Sequence, residues 1–225
     1  MDFANFIKKF QYNYAMIIGK IDYINLLPFY VFLKKELKHS ADKAALTYYK
    51  GVPSHINRLF IKGRVEAAMI SSIVSKKYAC TDFGIVAHKR VKSVIVCPGE
   101  NKEDEESNTS NVLAKVLGIK GEVIIGDKAL LKTDGCIDLA QKWYERYRLP
   151  FVFARFCYKK NPKAYKALAK KFLHSHTKIP HYILSRYTKR SGLSHKEIKN
   201  YLQLIDYKIG RKEKQSLKKF FQLQR

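Results

Sequence analysis

The 225-residue sequence lacks long apolar runs, and its N-terminus lacks the features of a secretory signal. No stretch reaches the roughly 18 apolar residues that a membrane span needs, so we expect no membrane association. The first fifteen residues, MDFANFIKKFQYNYA, have neither a basic start nor an apolar core. We therefore predict a cytoplasmic protein.

Sequence motifs for nucleotides, metals and common hydrolases are also missing. The chain contains no P-loop, GxGxxG, GxSxG or HExxH motif, which removes support for nucleotide-dependent and standard hydrolytic reactions. His174 and His176 follow a helical pattern without a nearby carboxylate, so we expect no metal site there. The sequence thus predicts neither a metal nor a cofactor.

Cysteines are few and widely separated, with no CxxC pair. In such a chain scattered buried thiols are expected rather than zinc ligands or disulfides. We make this prediction for all four, namely Cys80, Cys97, Cys136 and Cys157.

Acidic residues are scarce, because 19 Asp and Glu stand against 44 Lys and Arg, giving a formal net charge of +25. Residues 156–225 hold 19 of the cations and only 3 of the acids. This excess has two interpretations, a nucleic-acid-binding surface or helices with solvated lysine faces. In 162–173 the lysines lie on the face opposite the apolar residues, which favours solvated helices. We therefore do not expect a nucleic-acid partner.

Short apolar runs alternate with helical patterns through the first two-thirds of the chain, as in an α/β protein with parallel strands. The candidate strands are 15–21, 44–49, 65–70, 84–88, 93–97, 122–126 and 151–156. The candidate helices between them are 53–62, 109–117 and 137–147. The last 70 residues are predicted to be all helical, and the acidic segment Glu100–Glu106 is predicted to be a solvated loop.

Polar residues follow several of the predicted strands, where ligands of open α/β sheets bind. They are Asn25, then Ser71 and Ser72, then Ser107, Thr109 and Ser110 at a helix start, then Gly126 and Asp127. Hydroxyls and free N–H groups at a helix start suit a carboxylate ligand. Four of these residues also have a simpler structural interpretation: Ser107 or Thr109 as a helix cap, Asp127 as a cap or lysine partner, and Asn25 as a turn residue.

Five segments, taken in order, resemble one enzyme family. They are GKIDYINLLPF (19–29), VPSHINRLFIKGRVEAAMISS (52–72), SNTSNVLAKVLG (107–118), IIGDKAL (124–130) and DLAQKWYERYRLPFVFARF (138–156). Over roughly residues 16–160 the chain resembles the chorismate dehydratases of the futalosine route to menaquinone.

The resemblance implies a two-lobed, type II periplasmic-binding-protein-like α/β fold with a ligand cleft between the lobes. Two strands would cross between lobes, near 91–97 and 151–156. Lobe one would comprise residues 1–90 plus 156–225, and lobe two residues 91–155. Asn25, Ser71 and Ser72 would face the group Ser107, Thr109, Ser110 and Asp127 across the cleft.

The implied reaction is the loss of water from chorismate to give 3-(1-carboxyvinyloxy)benzoate, without any cofactor. Asn25 and Asp127 would be catalytic, and the serines, Thr109 and Gly126 would bind substrate. The base is either Asp127 or the substrate's own enolpyruvyl carboxylate. Two alternative functions are the related dihydroxynaphthoate synthase of the same route and a non-catalytic small-anion-binding protein, such as the solute-binding component of a transporter.

Overall fold

The computed structural model describes residues 16–132 and 135–224. The segment over which we predict no secretory signal, residues 1–15, lies outside these ranges. None of the helices within the described ranges is both long and apolar enough to cross a membrane.

The described strands form one large and one small sheet. In chain order they are β1 (Ile18–Ile21), β2 (Lys50–Gly51), β3 (Ala67–Ser71), β4 (Cys80–Ala87), β5 (Val94–Cys97), β6 (Glu122–Ile125), β7 (Ile137–Asp138), β8 (Phe151–Tyr158) and β9 (Asp206–Lys208). The large sheet has the order β2-β1-β3-β8-β4-β9, and the small sheet has the order β6-β5-β7. β1 runs parallel to β2 and β3, whereas β8 runs antiparallel to both of its neighbours.

Helices cover the sheets and supply the C-terminal part. They are α1 (Leu27–Glu36), α2 (Ser40–Tyr48), α3 (Pro53–Ile61), α4 (Ser72–Ser75), α5 (Asn108–Leu117), α6 (Leu139–Tyr147), α7 (Pro162–Leu173), α8 (His181–Ser191), α9 (His195–Leu202) and α10 (Arg211–Leu223). Two 3-10 turns, Ile24–Leu26 and Gly126–Leu131, follow β1 and β6. The segments that carry Asn25 and Asp127 therefore stand at the carboxyl ends of strands.

The chain passes between the sheets twice, once between β4 and β5 and once between α6 and β8. The strands β5 and β8, which we expected to cross, each lie within a single sheet. The proposed lobe boundary at residues 155–156 falls inside β8, whose partners are β3 and β4 of the large sheet. The division of the chain into two lobes remains a proposal.

Two predictions of secondary structure are wrong. Residues 44–49 belong mostly to α2 rather than to a strand. The buried Asp42 and Leu46 are one helical turn apart, and the alanines between them are strong helix formers. The C-terminal part also contains β9, which pairs with the edge of β4 through Lys208 and Asp206, so it is not all helical.

The acidic segment is not a simple solvated loop. Asp104 is buried and accepts hydrogen bonds from the backbone N–H groups of Glu106 and Ile125, at 2.9 and 3.2 Å. The Lys128 ammonium lies 2.9 Å from the same carboxylate. Two backbone N–H groups and one lysine thus offset the cost of burying the Asp104 carboxylate. The acidic composition of the segment predicts instead that this carboxylate is solvated.

The prediction of free thiols is also wrong, because the cysteines pair as two disulfides, Cys80–Cys157 and Cys97–Cys136. Cys80 stands opposite Cys157 in the β4–β8 register. Cys97 ends β5, and Cys136 precedes the β7 residue that pairs with Val96. The paired cysteines are 77 and 39 residues apart in the sequence, so their spacing does not indicate that they are neighbours across strands.

Candidate active site

A cleft lies between the large-sheet and small-sheet elements. Five of the predicted site residues line it, namely Asn25, Ser71, Ser107, Ser110 and Gly126. Ile85, Val91 and Phe153 contribute apolar wall. The sequence prediction therefore brings together residues from four separate chain segments at one cavity.

Asn25 lies in the 3-10 turn after β1 and is held through its backbone. Its carbonyl accepts a hydrogen bond of 2.6 Å from the Tyr207 hydroxyl, and the Tyr207 ring packs on Phe83 and Phe172. The side-chain Oδ1 is buried and has no hydrogen-bond donor among the described residues. A buried amide oxygen without a donor costs about 1–3 kcal/mol, so this atom is a fitting acceptor for a ligand hydroxyl.

Three serine hydroxyls in the cleft accept hydrogen bonds from the protein. Ser71 Oγ accepts from the Asn57 amide at 3.0 Å, Ser110 Oγ accepts from Ser107 at 2.8 Å, and Ser93 Oγ accepts from Tyr201 at 2.8 Å. Within the described part of the chain, none of the three donates its own proton to another protein group. A hydroxyl has one donor, so each of these protons is available to an anionic ligand.

Ser107 combines a structural role with its place in the cleft. It is the N-cap of α5, because its Oγ accepts from the Ser110 backbone N–H at 3.2 Å. The helix ends at Gly118, whose φ of 70° is the left-handed conformation that glycine adopts freely. The positive end of the α5 dipole therefore lies beside the hydroxyls of the cleft, which favours a carboxylate there.

Gly126 forms the cleft wall where a larger residue would not fit. Its φ is +71°, and a Cβ atom would lie 2.7 Å from Cζ of the Tyr23 ring. The Tyr23 hydroxyl donates to the Glu106 carboxylate, and burial together with Glu106 raises the pKa of Tyr23. The tyrosine ring is thereby fixed against the glycine backbone.

The remaining predicted residues, Ser72, Thr109 and Asp127, are not among those that line the cleft. Ser72 is fully buried, and its hydroxyl donates to the Val152 carbonyl at 2.6 Å. Thr109 is 1% exposed, and its Oγ1 accepts from the Ile73 backbone N–H at 3.2 Å. Ser72 thus ties α4 to β8, and Thr109 ties α5 to α4.

Asp127 connects the two turns that flank the cleft. Its carboxylate accepts from the Ile24 N–H at 3.0 Å and forms an ion pair of 2.6 Å with Arg190. Burial raises the pKa of Asp127, and the bonds from Ile24 and Arg190 oppose that shift. Since Ile24 precedes Asn25, this carboxylate holds the asparagine turn in place.

Sequence reasoning missed Ser93, Tyr23 and Tyr201 as parts of the site. Ser93 precedes β5 rather than following a strand, so a search of strand ends does not find it. Tyr201 belongs to α9 in the basic C-terminal part and is fully buried beneath Ser93. Only tertiary packing places the Tyr201 hydroxyl against Ser93, which lines the cleft.

Metal-binding residues are not clustered in the described ranges, which contain no group of three or more His, Cys, Asp and Glu side chains placed to hold an ion. The histidine pair singled out above follows α7, and His174 Nδ1 lies 2.7 Å from the Lys170 carbonyl.

Solved structures with low sequence identity share the fold. A protein of Archaeoglobus fulgidus superposes with a TM-score of 0.66 at 13% identity, covering 93% of this chain and 97% of that one. A Candida albicans protein described as having the generic periplasmic binding protein fold superposes with a TM-score of 0.50 at 10% identity, covering 92% and 90%. The chain therefore has the periplasmic-binding-protein-like α/β fold that the resemblance implied.

Sequence comparison gives a closer relationship. The chorismate dehydratase of Campylobacter jejuni is 50% identical over 213 residues, which cover 91% of this chain and 96% of the relative. The sequence model of the family described as menaquinone biosynthesis matches residues 16–122 and 117–225. The chain belongs to this menaquinone biosynthesis family.

Proposed function

We propose that this chain is a chorismate dehydratase, a hydro-lyase that converts chorismate to 3-(1-carboxyvinyloxy)benzoate in menaquinone biosynthesis, in the cytoplasm. The 50% identical relative carries that name. The observation that carries the proposal is the buried Oδ1 of Asn25, to which none of the described residues donates a hydrogen bond, in a cleft lined by serine hydroxyls.

The polar groups of the cleft match those of chorismate. The substrate has two carboxylates, a ring hydroxyl and an enolpyruvyl ether. Ser71, Ser93 and Ser110 each have a proton to give to a carboxylate, and Asn25 Oδ1 can accept from the ring hydroxyl. Ile85 and Phe153 offer apolar surface to the ring. The cleft thus supplies donors for the anionic groups and one acceptor for the leaving group.

The reaction breaks a C–H bond at the ring carbon that bears the ether and a C–O bond at the neighbouring carbon that bears the hydroxyl. The C–H electron pair becomes the new ring double bond, and the hydroxyl leaves with a proton as water. Aromatisation drives the reaction. Hydroxyl donors and the α5 dipole stabilise charge that builds on the conjugated carboxylate. Asn25 holds the hydroxyl in the orientation for departure.

The proton acceptor in this proposal is the enolpyruvyl carboxylate of the substrate. Asp127 is the alternative base, but its carboxylate is bound by Ile24 N–H and Arg190 and does not line the cleft. The enolpyruvyl carboxylate can take the ring proton and return it to the departing hydroxyl, so the proton balance closes within the substrate. The protein then acts by holding the reactive conformation.

The test is to incubate the purified full-length protein with chorismate and follow the aromatic product by chromatography. Product formation that Asn25→Ala lowers strongly, and that a chelator leaves unchanged, supports the proposal. Saturable chorismate binding without product would instead indicate an anion-binding protein. A protein that leaves chorismate untouched but acts on the substrate of the dihydroxynaphthoate synthase would indicate the sister enzyme.

A further inference from the structure

A second pocket lies on the other side of β1 from the cleft. Side chains alternate between the two faces of a strand. Ile21 accordingly lines the cleft, while its neighbours Lys20 and Asp22 line the second pocket. The two cavities are therefore separate.

Five cations converge on this second pocket around a single carboxylate. The cations are Lys20, Lys34, Lys50, Arg186 and Arg190, and the carboxylate is Asp22. Asp22 already accepts from Lys20 at 3.0 Å, from the Tyr187 hydroxyl at 2.9 Å and from Arg190 at 3.1 Å. Within the described residues, Lys34, Lys50 and Arg186 form no ion pair, so most of the positive charge is not neutralised.

The positive charges of the pocket act on Lys20, whose side chain is mostly buried. Its side chain is only 11% exposed and lies over the Tyr30 ring at 5.4 Å. Burial lowers the pKa of Lys20, Asp22 opposes that shift, and the positive charges of Lys34 and Arg186 lower it further. An anion in the pocket would relieve this repulsion.

Two arginine side chains of α8 line the pocket beside the Tyr187 ring. The guanidinium groups of Arg186 and Arg190 lie 5.9 and 4.2 Å from the centre of the Tyr187 ring. Planar guanidinium groups held against an aromatic ring suit the recognition of a phosphate or carboxylate. The Thr47 side chain adds a hydroxyl to the lining.

We propose that this pocket is a second anion site, which binds a compact oxyanion with two or more negative charges, such as the phosphate or diphosphate group of a small metabolite.

Arg190 connects this site to the cleft, because it pairs with Asp22 at 3.1 Å and with Asp127 at 2.6 Å. Asp127 in turn holds the N–H of Ile24 beside Asn25. An anion that draws Arg190 towards the pocket would therefore weaken the Arg190–Asp127 ion pair, and with it the contact that positions the turn containing Asn25.

The test measures binding of inorganic pyrophosphate to the full-length protein by calorimetry at constant ionic strength. We expect one saturable site. The double variant Lys34→Gln/Lys50→Gln should weaken binding about tenfold or more, since each lysine contributes a charge-assisted hydrogen bond. The control Lys35→Gln/Lys43→Gln removes the same charge from exposed lysines that do not line the pocket, and should change binding less than about twofold.

Three results would overturn the second site. The first is the absence of saturable binding. The second is equal weakening in both double variants, which would indicate a diffuse charge effect. The third is complete displacement of pyrophosphate by chorismate, which would place the anion in the cleft. Simultaneous binding of both ligands supports a separate site, and any coupling between them must be equal in both directions. The test does not depend on turnover, so it stands apart from the proposed activity.

Discussion

Asn25 is the cleft residue whose side chain most clearly needs a ligand, because its buried Oδ1 receives no hydrogen bond from the part of the chain that the structure describes, while its backbone is held by Tyr207. An amide offers an acceptor and two donors without adding charge. That combination suits a site that must hold a hydroxyl next to a dianion.

Replacement of Asn25 separates a catalytic role from a turn role. We expect Asn25→Ala and Asn25→Asp to lower kcat by about a hundredfold or more, since both lose the positioned amide. The aspartate should be at least as damaging, because it places negative charge beside the substrate. Turnover per folded molecule and Tm are measured for both variants. A fall in Tm with unchanged turnover would refute the catalytic role.

Ser110 and Thr109 are neighbours on α5 with different expected roles. Ser110→Ala removes a free donor in the cleft and should weaken chorismate binding by about 1.5–3 kcal/mol. Thr109→Val keeps the shape but leaves the Ile73 N–H without its acceptor, so it should lower the free energy of unfolding instead. The Michaelis constant and urea unfolding are measured on each. Unchanged kinetics in Ser110→Ala would show that the Ser110 hydroxyl has a structural role and does not bind the substrate.

Asp127→Asn tests which group accepts the proton. The amide oxygen can still accept from Ile24, but the charge that pairs with Arg190 is lost. If the substrate carboxylate is the base, we expect kcat to stay within about tenfold of the original value. Removal of a general base typically costs about a hundredfold or more, so a loss of that size, with Tm and chorismate binding intact, would identify Asp127 as the base.

At the scale of elements, helices with clear end signals are well predicted from the sequence. Residues 162–173 are helical as expected, and α9 begins at a capping box formed by Ser194 and Glu197, because local periodicity and caps decide both. The α2 segment and β9 are mispredicted, since a short tyrosine-rich run fits either period and a three-residue edge strand depends on its partner β4.

In the site too, residues with a local sequence signal are predicted, whereas those placed by tertiary packing are missed. Ser71, Ser107 and Ser110 follow strands in the sequence, so the rule for α/β sheets finds them. Ser93 and Tyr201 come together only through packing of the C-terminal part on β5. Ser72, Thr109 and Asp127 share the sequence context of the lining residues, but their side chains form structural ties. Sequence cannot tell these two outcomes apart.

The disulfide between β4 and β8 gives a prediction at this scale. It closes a sequence separation of 77 residues, so it restricts the unfolded chain strongly. A reductant also breaks Cys97–Cys136, so we expect the free energy of unfolding of the oxidised protein to exceed that of the reduced protein by about 2–4 kcal/mol for each disulfide. Denaturant unfolding with and without a reductant measures the difference, and a thiol titration of the denatured, unreduced protein checks the pairing. Four titrating thiols would contradict both disulfides.

At the scale of the whole molecule, the net charge of +25 is carried largely by solvated helix faces. On α7, Lys163, Lys166 and Lys170 are exposed while Tyr165 and Phe172 are buried. The helix α10 repeats this division. The lysines therefore occupy positions that amphipathic helices leave to solvent, as their spacing predicts.

A positive surface around a neutral cleft should act on the approach of the substrate rather than on its reaction. None of the described residues that line the cleft is Lys or Arg, so salt has little to screen once chorismate is bound. The surrounding field attracts a dianion, and salt weakens that attraction. We expect kcat/KM to fall modestly, by about two- to fivefold, between 50 and 300 mM salt, with kcat nearly constant. Steady-state kinetics over this range, with an uncharged osmolyte as control, measure both. A matching fall in kcat would mean that screened charges take part in the reaction.

Tight, salt-sensitive binding to arbitrary duplex DNA at physiological ionic strength would instead assign the basic surface to a nucleic-acid partner.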